Sequence, residues 1–238
     1  MIPIADNLPN RKIPAITYLL VAVNVALFAV ELKLANESEL GDFLGTWAVV
    51  PARIVNLATD MLDGSWIAAI LICIVTVLGL FLHSGFAHLI GNLLFLFVFG
   101  RRMEELLGHG RFLLLYLACG MVTSAVQVWS EPTLDVPLIG ANGAIAGILA
   151  AYLLSYPRAK IETIVPLVIL FIPIELPALF YLFWWFVQQI FYGVSTLNVE
   201  ASINSGSFAY WMHNVGMAIG AVLVFLLRRT SFRRTSSN

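Results

Sequence analysis

The chain is organised as apolar runs separated by short polar stretches. The runs fall at residues 13–30, 89–100, 112–129, 141–156, 176–192 and 208–227. A bilayer is crossed by about 20 apolar residues, fewer where a helix begins below the surface. Inside hydrocarbon only helices and closed barrels satisfy every backbone polar group. The pattern therefore predicts an all-α polytopic membrane protein with six transmembrane helices. Composition agrees: 11% of the residues are charged and mean hydropathy is +0.90, whereas soluble domains carry about 25% charge. A formal net charge of -1 gives no sign of a nucleic-acid partner. Cys73 and Cys119 lie in apolar runs without metal-ligand spacing and are expected to be buried thiols. No small-residue cleavage site follows the run after Arg11 and Lys12, so a retained first span is expected.

Two further apolar stretches need arbitration. Residues 66–82 are long enough to embed, and residues 164–173, interrupted by Pro166, are read as a loop in the membrane interface. With six spans, Arg11, Lys12, Arg101, Arg102, Arg111, Arg158, Lys160, Arg228, Arg229, Arg233 and Arg234 share one side, and only Lys33 and Arg53 lie opposite. The positive-inside rule then places both termini in the cytoplasm. A seventh crossing at 66–82 would scatter the clusters. Residues 1–230 are expected to form one membrane domain, and residues 231–238 a short disordered cytoplasmic tail.

Polar groups at membrane depth are costly, so each is a functional candidate. His83, His88 and Asn92 sit at the start of the second span, with His88 and Asn92 spaced to share a helical face. Asn142 stands in the stretch Gly140-Ala141-Asn142-Gly143, where a loop enters the fourth span, and His213 lies in the sixth. The fourth span is about 22 Å long at 1.5 Å per residue, against about 30 Å of hydrocarbon. Its first residue should therefore lie at the floor of a cavity walled by residues 131–140. Orphan N–H groups at a helix start suit an oxyanion. Gly143 with Gly147, and Gly216 with Gly220, are small-x3-small pairs that let two helices approach closely. Docking the fourth span on the sixth in this way would bring position 142 near His213. A Ser or Cys there would complete a nucleophile–base pair.

The segments HSGFAHLIGNLLFLFVFG, RFLLLYLACG, GANGAIAG, YPRAKIETIVPL and YWMHNVGMAIG, in that order, resemble the rhomboid family of intramembrane serine proteases. The resemblance implies a rhomboid-like fold, with His213 as general base and His88 and Asn92 flanking the oxyanion. It matches His83 to the first histidine of the family pattern, and Gly140 and Gly143 to the glycines around the nucleophile. It gives Glu104 the role of an acid tying down an outer, membrane-dipping loop. It implies no cofactor beyond water, and transmembrane helices of client or substrate proteins as partners. A bacterial cytoplasmic membrane is the expected location, with the cavity opening outward.

One position departs from the family. Asn142 replaces the catalytic serine, and a carboxamide has no hydroxyl for His213 to deprotonate. Losing the nucleophile of such a pair costs several orders of magnitude in rate. The expected protein is thus a rhomboid-fold client binder, inactive as a protease. The alternative is an endopeptidase lineage of which this is an Asn142 variant. Asn142 is also expected to cap its helix and to bond His213 through its amide. A metal held by His83, His88 and Asn92 is disfavoured, because no acid or thiolate stands at ligand spacing. A small transporter is a third class, and paired broken helices or intramembrane charges would mark it.

Overall fold

A computed structural model describes residues 1–9, 12–34, 37–167, 170–195 and 206–235. Three helices in it are long and apolar enough to cross a membrane: Phe86–Leu107, His109–Ser130 and Tyr210–Leu227. Shorter apolar helices lie at Ala15–Glu31, Trp66–Gly79, Asn142–Ser155 and Ala178–Val194. In chain order the elements are β1 (Ile2–Asp6), α1 (Ala15–Glu31), α2 (Glu37–Trp47), α3 (Pro51–Leu62), α4 (Trp66–Gly79) and α5 (Phe86–Phe95). A π-helical turn at Leu96–Gly100 joins α5 to α6 (Arg101–Leu107). Then follow α7 (His109–Ser130), α8 (Asn142–Ser155), β2 (Lys160–Leu167), β3 (Leu170–Pro177), α9 (Ala178–Ser195) and α10 (Gly206–Thr235).

Helix α8 forms the centre. Every residue from Asn142 to Tyr152 is buried, as expected of a helix that is apolar around its whole circumference. It can lie so deep because its glycines admit neighbouring backbones. A Cβ added to Gly216 or Gly220 would collide with the backbone of Gly143 or Gly147. A Cβ on Gly143 would meet Thr123 of α7, and one on Gly147 would meet Cys119. The fourth predicted span thus docks on the sixth through the small-x3-small pairs. Cys119 is buried as expected, but Cys73 is exposed on α4.

The molecule is not all-α. β1, β2 and β3 form an antiparallel sheet in that order. Residues 164–173, read from sequence as an interfacial loop, belong to the β2–β3 hairpin, in which Ile164 pairs with Pro173. Prolines at sheet edges cost no ladder hydrogen bond, so Pro166 did not break the strand as its position suggested. Helix α10 runs on to Thr235, past residue 230, and residues 236–238 lie outside the described residues.

The sheet is fastened to the helices at one end. Asp6 of β1 meets Arg102 at 2.7 Å and accepts from the Tyr152 hydroxyl at 2.8 Å. Arg102 also donates to the carbonyls of Leu8 and Pro9 at 2.6 and 2.7 Å. The guanidinium and Asp6 are both almost fully buried, and Arg102 also meets Glu105 at 2.9 Å, so Asp6 without Arg102 would be an uncompensated buried charge.

Candidate functional site

Gly140 prepares the start of α8. Its φ of +101° is one that L side chains rarely adopt, and its N–H bonds to Gly79 O at 2.9 Å. A Cβ here would lie 2.6 Å from His88 Nε2, so the glycine also makes room for the imidazole. Ala141 occupies the cap position and Asn142 is the first helical residue, with no side chain capping this end. The expectation that Asn142 caps its own helix is therefore corrected: its side chain is engaged elsewhere.

Asn142 Oδ1 accepts from His88 Nε2 at 3.0 Å. The partner is thus His88 and not the expected His213. Because an amide oxygen only accepts, His88 carries its proton on Nε2, and Nδ1 accepts from Ser84 Oγ at 3.1 Å. His213 has a different partner: its Nδ1 lies 2.9 Å from Gln189 Oε1 of α9, so Nδ1 is the protonated nitrogen. Its ring stands edge-on to Trp185, with centroids 5.0 Å apart.

A second chain of hydrogen bonds supports the first. His83 Nδ1 donates to Phe81 O at 3.1 Å, which leaves Nε2 to accept from Asn92 Nδ2 at 3.1 Å. The Glu31 carboxylate receives the His83 backbone N–H at 3.1 Å. His83 lies in the turn between α4 and α5, outside the spans. Burial, reinforced by His88, lowers its pKa to about 4, so at neutral pH it holds Asn92 as an uncharged acceptor.

These residues converge on a cavity of about 470 Å³, lined by His88, Asn92, Asn142, Trp185, His213 and by residues 136–139. The stretch 131–140 thus supplies wall, as expected. It is itself held, with Ala52 N–H bonding Leu134 O at 3.1 Å and Leu138 N–H bonding Val49 O at 2.8 Å. Among the described residues no group of His, Cys, Asp and Glu is placed to hold a metal.

Glu104 lies elsewhere. It stands sixteen residues beyond His88 on the same helical run, about 24 Å away at 1.5 Å per residue. Its carboxylate accepts from the N–H groups of Ile16 and Thr17, each at 2.8 Å, and from Thr17 Oγ1 at 2.7 Å. The role of tying an outer loop is therefore corrected: Glu104 caps α1, whose own N-cap residue, Pro14, offers no side-chain bond. A carboxylate at a helix N-terminus answers both its orphan donors and its dipole.

Sequence reasoning missed Gln189, Ser84 and Glu31. Gln189 is a buried polar residue inside the apolar run of α9, and the cost of such groups at membrane depth was the signal that could have found it.

The geometry is that of a polar site sunk into a bundle of apolar helices. The Rhomboid domain matches residues 65–230, and the chain belongs to the rhomboid family. It is an integral membrane protein. It is 42% identical over 72 residues to YdcA, a rhomboid-family protein of Bacillus subtilis, covering 30% of this chain and 36% of that protein. It is 42% identical over 98 residues to the rhomboid protease GluP of the same organism, covering 40% of this chain and 19% of GluP. It is 35% identical over 101 residues to the presenilin-associated rhomboid-like protein A, mitochondrial, of Danio rerio, covering 42% of this chain and 26% of that protein. The chain therefore spans well under half the length of these relatives.

Proposed function

We propose that this rhomboid-family protein binds transmembrane helices of client proteins in its cavity and does not cleave them. The observation that carries the reading is the hydrogen bond from His88 to Asn142. The residue at the nucleophile position offers no hydroxyl, and its carbonyl oxygen occupies a donor that an oxyanion would need. Asn142 and His213 are the nucleophile and base positions of the family, His88 and Asn92 the oxyanion positions, and His83 the residue that orients Asn92. Six spans are proposed, with α1, α8 and α9 completing the three longer helices. Both termini would lie in the cytoplasm and the cavity would open outward. This orientation is supported by Arg102, Arg158 and Lys160 gathering near the N-terminal strand. The cytoplasmic membrane of a bacterium is the proposed location.

The test compares the chain with Asn142→Ser, each in detergent and liposomes, using a fluorophosphonate probe and a generic transmembrane substrate. Labelling and cleavage by the serine form alone are expected. Cleavage by the asparagine form would overturn the reading. Client binding is tested separately, with a photo-crosslinker at Ile145 in the cavity wall: capture of a client helix is expected, and association that ignores cavity-filling substitutions would defeat it.

One observation favours a second reading, in which the chain is an Asn142 variant of an endopeptidase lineage. His213 keeps its tautomer fixed by Gln189, leaving Nε2 unprotonated, as a working base requires.

A further inference from the structure

The β2–β3 hairpin separates charge from apolar surface along its length. Its base carries Lys160, Glu162 and Glu175, with Lys160 and Glu175 paired at 3.0 Å. From residue 164 to residue 174 the sequence reads IVPLVILFIPI, with no polar side chain. Ile161 and Thr163 anchor the base against the helices, both fully buried. Further out, Phe171 is 65% exposed and Ile172 is 41% exposed. Neighbouring strand residues point to opposite faces, so Phe171 and Ile172 leave both faces of β3 uncovered there. A run of this length facing water would be an aggregation hazard.

The backbone says what can cover it. Proline cannot donate across a ladder, so Pro173 and Pro177 of β3 must sit at positions whose nitrogen faces outward. Pro166 is the partner of Phe171, two residues from Pro173, and has the same parity. It lies where β2 has run past β1, whose pairing ends at Ile164. The open edges are thus depleted in N–H donors, which works against a further strand adding to the sheet. Strand β3 passes into α9 with no intervening residue, Pro177 being followed by Ala178. The first turns of α9 expose Leu179 and Phe180, as a lipid-facing helix does. The hairpin, about 26 Å long at 3.3 Å per residue, is therefore rooted at the start of α9.

We propose that the outer half of the β2–β3 hairpin docks into the lipid interface of the leaflet opposite the cavity, as a monotopic anchor beside the helices. The partner is the lipid surface itself. Apolar side chains enter the acyl boundary, and the carbonyls of the edges stay at headgroup level where water and headgroup donors reach them. The anchor fixes the height and tilt of α9, the helix that carries Gln189 and Trp185 to the cavity. It does not depend on whether the cavity cleaves or only binds.

The test uses the full chain in phosphatidylethanolamine–phosphatidylglycerol vesicles. An environment-sensitive fluorophore is placed at Ile172→Cys, or at Glu162→Cys on the exposed base, in a Cys73→Ala background that leaves only buried Cys119. Lipid-borne nitroxide should quench the probe at 172, and iodide on both sides of the vesicle should not. The pattern should reverse at 162. Iodide access at 172 would overturn the proposal. So would shielding from both quenchers, or quenching that changes when unlabelled protein dilutes the labelled, since protein would then be the cover. In a Phe171→Asp variant the probe at 172 should lose its lipid quenching while helix content holds; retained quenching would count against the anchor.

Discussion

His88 of α5 donates from Nε2 to the side-chain oxygen of Asn142 across 3.0 Å, joining two residues 54 apart in sequence at the floor of the cavity. The bond gives Asn142 a structural role at the start of α8. Asn142→Ala should remove it and leave His88 without an acceptor. A loss of about 1 kcal/mol is expected for a bond of this kind, read as a lower thermal midpoint in detergent. An unchanged midpoint would mean that the bond contributes nothing.

The contact of α8 with α10 leaves no room for a methyl group. Gly216→Ala and Gly220→Ala should each force the helices apart, at a cost of about 1–3 kcal/mol. Gly110 of α7 has open space around its Cβ position. Gly110→Ala should therefore be neutral or stabilising by up to about 1 kcal/mol. Equal effects at the three sites, measured by unfolding in mixed micelles, would contradict the packing described.

Glu104 caps α1 across the bundle. Glu104→Gln keeps one acceptor and Glu104→Ala keeps none, so stability should fall in that order, by about 1.5–3 kcal/mol for each charged hydrogen bond lost. Hydrogen exchange at the amides of Ile16 and Thr17 should quicken in both variants. Exchange confined to the segment between α1 and α5 would instead restore the loop-tying role.

His83 makes stability depend on pH. Its folded pKa, about 4, lies below the ordinary 6.5, so the unfolded chain takes up the proton first. Its contribution is complete above 6.5, is lost as pH falls from there to about 4, and levels off below. His83→Gln should flatten that part of the curve in chemical unfolding. An unchanged slope would show that another group titrates there.

Asp6→Asn should weaken the charge pairing of the buried Arg102 guanidinium, which keeps Glu105 at 2.9 Å. Leaving a buried charge uncompensated costs about 3–5 kcal/mol, and with Glu105 in place the loss should fall below that range. Replacing both, as Asp6→Asn with Arg102→Met, should cost less than the sum of the single changes, a coupling that a double-mutant cycle would measure.

Much of the fold was readable because apolar runs of span length have few alternatives. The glycine pairs at 143/147 and 216/220 gave the α8–α10 contact for the same reason: only small residues let helices touch. The sheet was hidden because its strands carry Pro166 and Pro173, which read as breaks and are tolerated at edges. Hydrogen-bond partners were the least legible. Asn142 and His213 share a cavity, yet each has a nearer partner, on α5 and α9, and no spacing rule couples residues on those elements. Glu104 was misassigned because its target, the start of α1, lies nearly ninety residues away in sequence.

The pairing of β1 with β2 sets an order of assembly. Residues 2–6 emerge before the helices, and their strand partner at 160–167 follows only after the central helix has been made. Throughout that interval Asp6, Ile2 and Ile4 have no sheet to join. Contacts so distant in sequence form slowly, so closure of the sheet should be a late step in biogenesis. It would latch a segment made before the helices to a bundle already in place.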